Sequence, residues 1–258
     1  MSKLTNVVAV DWRAGKDKFY FFYKNTNTYS RFDIDDNKVA DGYPWTVKGR
    51  WATFDEHVKN LRFGFSTTAL TLDRPMDRSD LDILWLFYYE HETPMVCAYN
   101  QDTDKVMDAR PVEATKWKRL LPYFDRIITG TWWQVNRSSL FRFILNDGNS
   151  LYLDWGETPQ NHKVDYASDK YDDNLFKPVV TPTQTTRLEP ITETTWPGLA
   201  PYKDRIITGM QKDRTLADNY YYIFLTDHQY LIYNIPENAL VSGPHSVNDE
   251  SWPGLLRN

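Results

Sequence analysis

Asp125-Arg126-Ile127-Ile128-Thr129-Gly130 returns unchanged as Asp204-Arg205-Ile206-Ile207-Thr208-Gly209. Identity over six residues is too long to be chance, so the chain contains an internal repeat. Similar leads precede both copies, Leu121-Pro122-Tyr123-Phe124 in one case and Trp196-Pro197-Gly198-Leu199-Ala200-Pro201-Tyr202-Lys203 in the other. An aromatic run follows each copy, Leu140-Phe141-Arg142-Phe143-Ile144-Leu145 or Tyr220-Tyr221-Tyr222-Ile223-Phe224-Leu225. Then come a turn, Asn146-Asp147-Gly148-Asn149 or Thr226-Asp227-His228-Gln229, and a third apolar run. Two short aromatic and β-branched runs joined by residues that accept positive φ predict a β-hairpin.

The same order, with more drift, appears twice in the N-terminal half. Phe19–Tyr23 leads through a turn to Tyr29–Ile34, and Ile83–Tyr89 leads through a turn to Met95–Tyr99. After each of the four hairpins a proline is followed six to eight residues later by tryptophan: Pro44 and Trp51, Pro111 and Trp117, Pro190 and Trp196, Pro244 and Trp252. Four units are therefore expected, at about residues 6–59, 60–124, 125–203 and 204–258, within one domain spanning 1–258. The third is the longest, and its excess is read as an insertion over 157–187 that maps to one surface loop.

This pattern resembles the hemopexin-like repeat, which closes on Trp-Pro-Gly-Leu. Trp196-Pro197-Gly198-Leu199 and Trp252-Pro253-Gly254-Leu255 match that close in full. Trp51-Ala52-Thr53-Phe54 and Trp117-Lys118-Arg119-Leu120 match it in part. The resemblance covers essentially the whole chain and is to plant albumin-2-type and bacterial single-propeller members. It implies an all-β, four-bladed β-propeller of four-stranded antiparallel blades with short outer helices around a narrow channel. It also implies that the inner strands line the channel, through Asn6, Asn60, Asp125 and Asp204 and the residues two further on, Val8, Arg62, Ile127 and Ile206. A hard cation such as Ca²⁺ or Na⁺ would take oxygen ligands there. Asn at two of those places, and Arg62 where a small or apolar residue belongs, depart from the pattern. Heme ranks low, because the better-known member holds it between two propellers.

Composition agrees with a β-rich binding protein. The 258 residues are 41% hydrophobic and 16% aromatic, with ten Trp, seventeen Tyr and thirteen Phe, and the mean hydropathy is −0.62. Lys and Arg total 30 against 35 Asp and Glu without long blocks of either sign, which argues against nucleic acid as a partner. The apolar run Val7-Val8-Ala9-Val10 is too short for a signal-peptide core, and no stretch has the length of a membrane span. The expectation is a cytoplasmic protein, or one released by a non-classical route. The lone Cys97, inside an apolar run, reads as a buried inert thiol.

No G-x-S-x-G, P-loop, G-x-G-x-x-G, C-x-x-C or H-E-x-x-H pattern occurs, so no enzyme is expected. The five histidines fall at turns or on outer segments and default to solvated residues. Rings outside the repeat consensus make a candidate ligand surface: Trp12, Trp132, Trp133 and Trp155, with Arg126 and Arg205 as hydrogen-bonding neighbours. They would stack on sugar rings or planar amines unless they fill space between blades. The functional expectation is a non-catalytic binding protein for a small ligand, ion or glycan at the channel or a face. The alternatives are a hemagglutinin-type lectin and a protein-interaction module, a homodimer or part of a toxin or defence assembly, acting through the insertion.

Overall fold

The structure is a computed structural model that describes residues 4–51, 53–68, 82–133, 140–155, 184–212 and 219–257. Seventeen strands are described among them, in four antiparallel sheets. The first blade holds β1 (Val7–Trp12), β2 (Lys18–Tyr23), β3 (Thr28–Asp33), β4 (Lys38–Val39) and β5 (Trp45–Thr46). The second holds β6 (Leu61–Thr68), β7 (Asp82–Glu90), β8 (Thr93–Asn100) and β9 (Lys105–Pro111). The third holds β10 (Ile127–Trp132), β11 (Leu140–Leu145), β12 (Asn149–Asp154) and β13 (Thr185–Pro190), and the fourth β14 (Ile206–Lys212), β15 (Tyr220–Leu225), β16 (Gln229–Asn234) and β17 (Ala239–Ser246). Each sheet is a meander in chain order, except that in the first blade β4 and β5 share the edge of β3.

The innermost strands close a ring: β1 packs on β6 and β14, and β10 packs on the same two. The molecule is a four-bladed β-propeller. The expected outer helices are present as 3-10 turns, Val58–Asn60, Lys116–Tyr123 and Ala200–Arg205. Pro122 and Pro201 inside two of them remove the N–H groups a longer α-helix would need. Most of the insertion, 157–183, lies outside the described residues. Its last three residues, 185–187, belong to β13 and pair with β12.

The repeated hexapeptide acquires its meaning at the blade seams. Ile127 and Ile206 are buried, and a bulge follows each, as it does at Leu61. Thr129 Oγ1 donates to the Gly209 carbonyl of the next blade at 3.0 Å, and Thr208 Oγ1 accepts from Ala9 N of the blade beyond at 2.9 Å. Glycine ends the motif because an aromatic ring of the second strand lies on it. A Cβ at Gly130 would sit 2.5 Å from Phe143, and one at Gly209 2.9 Å from Tyr221.

The four closing tryptophans occupy equivalent places, all buried, one at each seam. Trp51 lies 4.7 Å from Phe22 of its own blade and 5.4 Å from Tyr99 of the next, centroid to centroid. Trp117 lies between Trp85 at 5.3 Å and Phe141 at 4.8 Å. Trp196 lies between Trp133 at 5.3 Å and Tyr233 at 5.2 Å. Trp252 lies between Phe224 at 5.2 Å and Phe32 of the first blade at 4.7 Å. Burying 150 to 250 Å² of indole at about 25 cal/mol per Å² contributes roughly 4 to 6 kcal/mol as an upper bound. The two full Trp-Pro-Gly-Leu turns add a backbone bond to the neighbouring blade: Leu240 N donates to Pro197 O at 3.2 Å, and Val39 N to Pro253 O at 2.8 Å.

Candidate functional site

Two ends of the ring offer polar side chains. At the end where the inner strands begin, turns and strand starts of the first three blades enclose two adjoining recesses of about 620 and 470 Å³. Both are lined by Asn60, Tyr89 and His91. Asp55, Glu56, His57 and Lys59 extend the groove on one side, and Glu92 and Asp125 on the other. Asn60, His91, Glu92 and Asp125 are exposed, while Tyr89 and His57 are half-buried.

The groove has internal order. The Tyr89 hydroxyl donates to Asp125 Oδ1, and Arg62 donates to the Asp125 carbonyl at 2.8 Å. Burial, reinforced by the Asp125 carboxylate, pushes the Tyr89 phenol up to about 12. The hairpin between β7 and β8 turns through His91 at φ 45° and Glu92 at φ 67°. Both lie in the left-handed region, where residues other than Gly, Asn and Asp cost on the order of 1 kcal/mol or more each. That backbone holds an imidazole and a carboxylate at the rim of the groove.

At the opposite end a buried polar cluster joins blades. Asp11 accepts from Ser66 N at 3.0 Å and from Arg13 Nε at 3.0 Å. Gln101 donates to Ser66 Oγ at 2.6 Å and accepts from Arg13 N at 2.6 Å, and Thr68 donates to Asp82 at 2.5 Å. Burial, with help from Asp102 and Asp11 and against Thr68 and Arg13, raises the Asp82 carboxyl to about 6.

The ring positions named from sequence divide between the end where the inner strands begin and the buried interior. Asn6, at φ 57°, points its amide to Asn25 at 2.6 Å. Val8, Ile127 and Ile206 are buried. Asn60, Arg62 and Asp125 meet at the groove, and Asp204 is exposed in the Ala200–Arg205 turn. Among the described residues no three His, Cys, Asp or Glu side chains gather as a metal site.

Arg126 pairs with Asp147 at 2.6 Å and Arg205 with Asp227 at 3.4 Å, each bracing its blade's hairpin turn. Trp12, Trp132, Trp133 and Trp155 are all buried. Trp12 lies 6.0 Å from Trp51, Trp155 4.6 Å from Trp117, and Trp132 faces the Arg13 guanidinium at 5.7 Å. Cys97 is a buried free thiol, pushed upward by burial.

One group went unremarked in sequence. The Arg142 guanidinium lies 3.6 Å from the Trp196 ring centre, 4.1 Å from Trp133 and 4.4 Å from Tyr152. It donates to Asn238 and to the Thr195 carbonyl, both at 2.6 Å, and burial lowers it to about 10. The cage around Trp133 thus already contains a cation supplied by the chain.

No known family matches the chain, and no curated protein matches it. Among solved structures it is similar to one described as the Dos1 propeller, at 8% identity and a TM-score of 0.29. That similarity covers 92% of this chain and 48% of the other, so the chain spans about half the length of the matched structure. No helix among the described residues is long and apolar enough to cross a membrane.

Proposed function

We propose that the chain is a non-catalytic binding module of hemopexin-like type, whose groove beside Tyr89 takes a small cationic ligand rich in hydrogen-bond donors, with a polyamine as the type case. The observation that carries this reading is the groove's charge. Asp55, Glu56, Glu90, Glu92 and Asp125 line it against Lys59, with Arg62 bound to the Asp125 carbonyl beside it. Carboxylates around a half-enclosed recess favour a ligand with several ammonium groups, each meeting an acceptor. The hemopexin-like assignment draws its support from the two full Trp-Pro-Gly-Leu closes and the four equivalent seam tryptophans.

Glycan recognition is the second reading, favoured by the half-exposed Tyr89 ring beside the Asn60 amide and the Asp125 carboxylate. Thermal unfolding at pH 7.5 and low salt, with spermine, Ca²⁺ or a panel of neutral saccharides, separates the two. A ligand at a hundred times its Kd adds about 2.7 kcal/mol, which for a chain of this size raises Tm by roughly 5 to 10 °C. Spermine is expected to do so, and Glu92→Gln with Asp125→Asn to weaken it about tenfold, the loss of two favourable charge contacts. A rise with saccharide alone supports the second reading. A spermine shift that survives both substitutions overturns the first.

A further inference from the structure

A different surface, on the rim of the first blade, carries an aromatic stack at the edge of the core. Tyr43 and Trp45 lie parallel, 4.2 Å apart and 19° from coplanar, and the Arg50 guanidinium lies 4.0 Å from the Trp45 ring centre. In each blade one apolar residue ahead of the closing tryptophan fills the core: Val47, Val112, Ile191 and Val247, all buried. Val47, Ile191 and Val247 also donate their N–H to the hairpin turn of their own blade, at 3.1, 3.0 and 2.7 Å. Val47 therefore performs the repeat's structural task, while Trp45 packs on the core edge beside Tyr29. Trp45 is only half-buried, and the Lys48-Gly49-Arg50 turn beyond it is exposed.

Two of the three cations here are uncommitted. Arg31, on the Tyr43 side at 5.7 Å, is paired with Asp33 at 3.0 Å. Arg50 and Lys48 have no carboxylate partner among the described residues. Asp55 accepts from Gly49 N at 2.7 Å and so fixes the turn that carries both cations. An arginine laid on an indole keeps its planar fork of N–H donors while losing little entropy on meeting an acceptor.

We propose that Arg50, held on the Trp45–Tyr43 stack, forms with Lys48 a surface receptor for a tetrahedral oxyanion ester, a sulfate or phosphate group carried on a larger molecule. The guanidinium fork engages two oxygens of the anion and the Lys48 ammonium a third. This site adjoins the acidic groove through Asp55, which accepts from Gly49 N and also lines that groove, but its own side chains Lys48 and Arg50 carry the opposite charge.

The test is titration calorimetry of the full chain in 20 mM salt with a sulfated hexasaccharide, glucose 6-phosphate, its unsubstituted sugar, and inorganic sulfate. The sulfated or the phosphorylated probe is expected to bind, and the arm that responds identifies the ester. Arg50→Ala should weaken it at least tenfold, and Arg50→Lys several-fold, because lysine keeps the charge and loses the fork. An unchanged melting temperature in Arg50→Ala certifies folding, and Glu92→Gln with Asp125→Asn should leave this affinity intact. Equal binding of the unsubstituted sugar, indifference to Arg50→Ala, or no binding of either ester overturns the proposal, whatever the fate of the groove.

Discussion

Asp82 is a carboxylate whose chemistry its surroundings change. Its carboxyl titrates near 6, above the ordinary aspartate value, so the folded protein holds that proton more tightly than the unfolded chain does. The resulting stability is fully present below about pH 4, the unfolded value, and is lost as pH rises through about 6. Asp82→Asn keeps the oxygen that accepts from Thr68 and removes the titration. Thermal melts from pH 4 to 7.5 are expected to converge at the acid end, with the variant melting higher at pH 7.5. A variant equal to wild type throughout refutes the assignment. Arg142 illustrates the complementary solution for a buried charge, surrounded by ring faces and two carbonyl-type acceptors. Neither residue announces this in sequence. Asp82 stands beside residues 69–81, and Arg142 looks like the ordinary polar member of an alternating strand.

At the scale of the strand, the repeat was legible because its constraints are local and chemical. Glycine beneath a ring, threonine at a seam and tryptophan at a close each tolerate few substitutes, so two copies of Asp-Arg-Ile-Ile-Thr-Gly survived intact. The first blade was harder to read, because β4 and β5 divide between them the outer position that a single strand fills elsewhere. Asn60, Arg62 and Asp125 of the groove were among the ring positions read from sequence, but its His91-Glu92 rim was illegible for a physical reason. His91 and Glu92 sit where Asn or Gly is the usual choice, and a left-handed φ cannot be read from those residue types. The ring tryptophans named as a ligand surface are all buried, since an aromatic at a strand end carries no mark of which side it faces. The seam threonine supplies the test at this scale. Thr129 also shares a hydrogen bond with the Tyr221 hydroxyl at 2.7 Å, so Thr129→Val leaves two buried polar groups without it. Urea unfolding is expected to give a loss of about 1 to 3 kcal/mol, with Thr129→Ser nearer wild type. If valine matches wild type, the hydroxyl does not hold the seam.

For the whole molecule the decisive seam is the one between the fourth blade and the first, where the chain's ends meet. Among the described residues its two sides are the parts farthest apart in sequence: β1 to β5 come from the N-terminal part and β14 to β17 from the C-terminal part. The last described residues carry the closure instead. Trp252 packs among Phe19, Phe21 and Phe32, and the Tyr23 hydroxyl donates to Leu255 O at 3.2 Å. Deleting residues 252–258 is expected to lower the melting temperature by about 6 to 20 °C, since a buried Trp alone is worth about 3 to 5 kcal/mol and about 2 to 4 °C accompanies each. Hydrogen exchange should quicken first in β1 and β14. Uniform loss of protection around the ring would mean that this seam is no weaker than the other three.

A tryptophan that completes its neighbour's packing as well as its own makes each quarter of the ring a debtor to the next. A single quarter, excised, would leave an indole bare on one flank and a matching hollow on the other. Such a fragment should clump or stay unfolded, so copying within the gene can proceed by quarters while selection acts only on the closed circle.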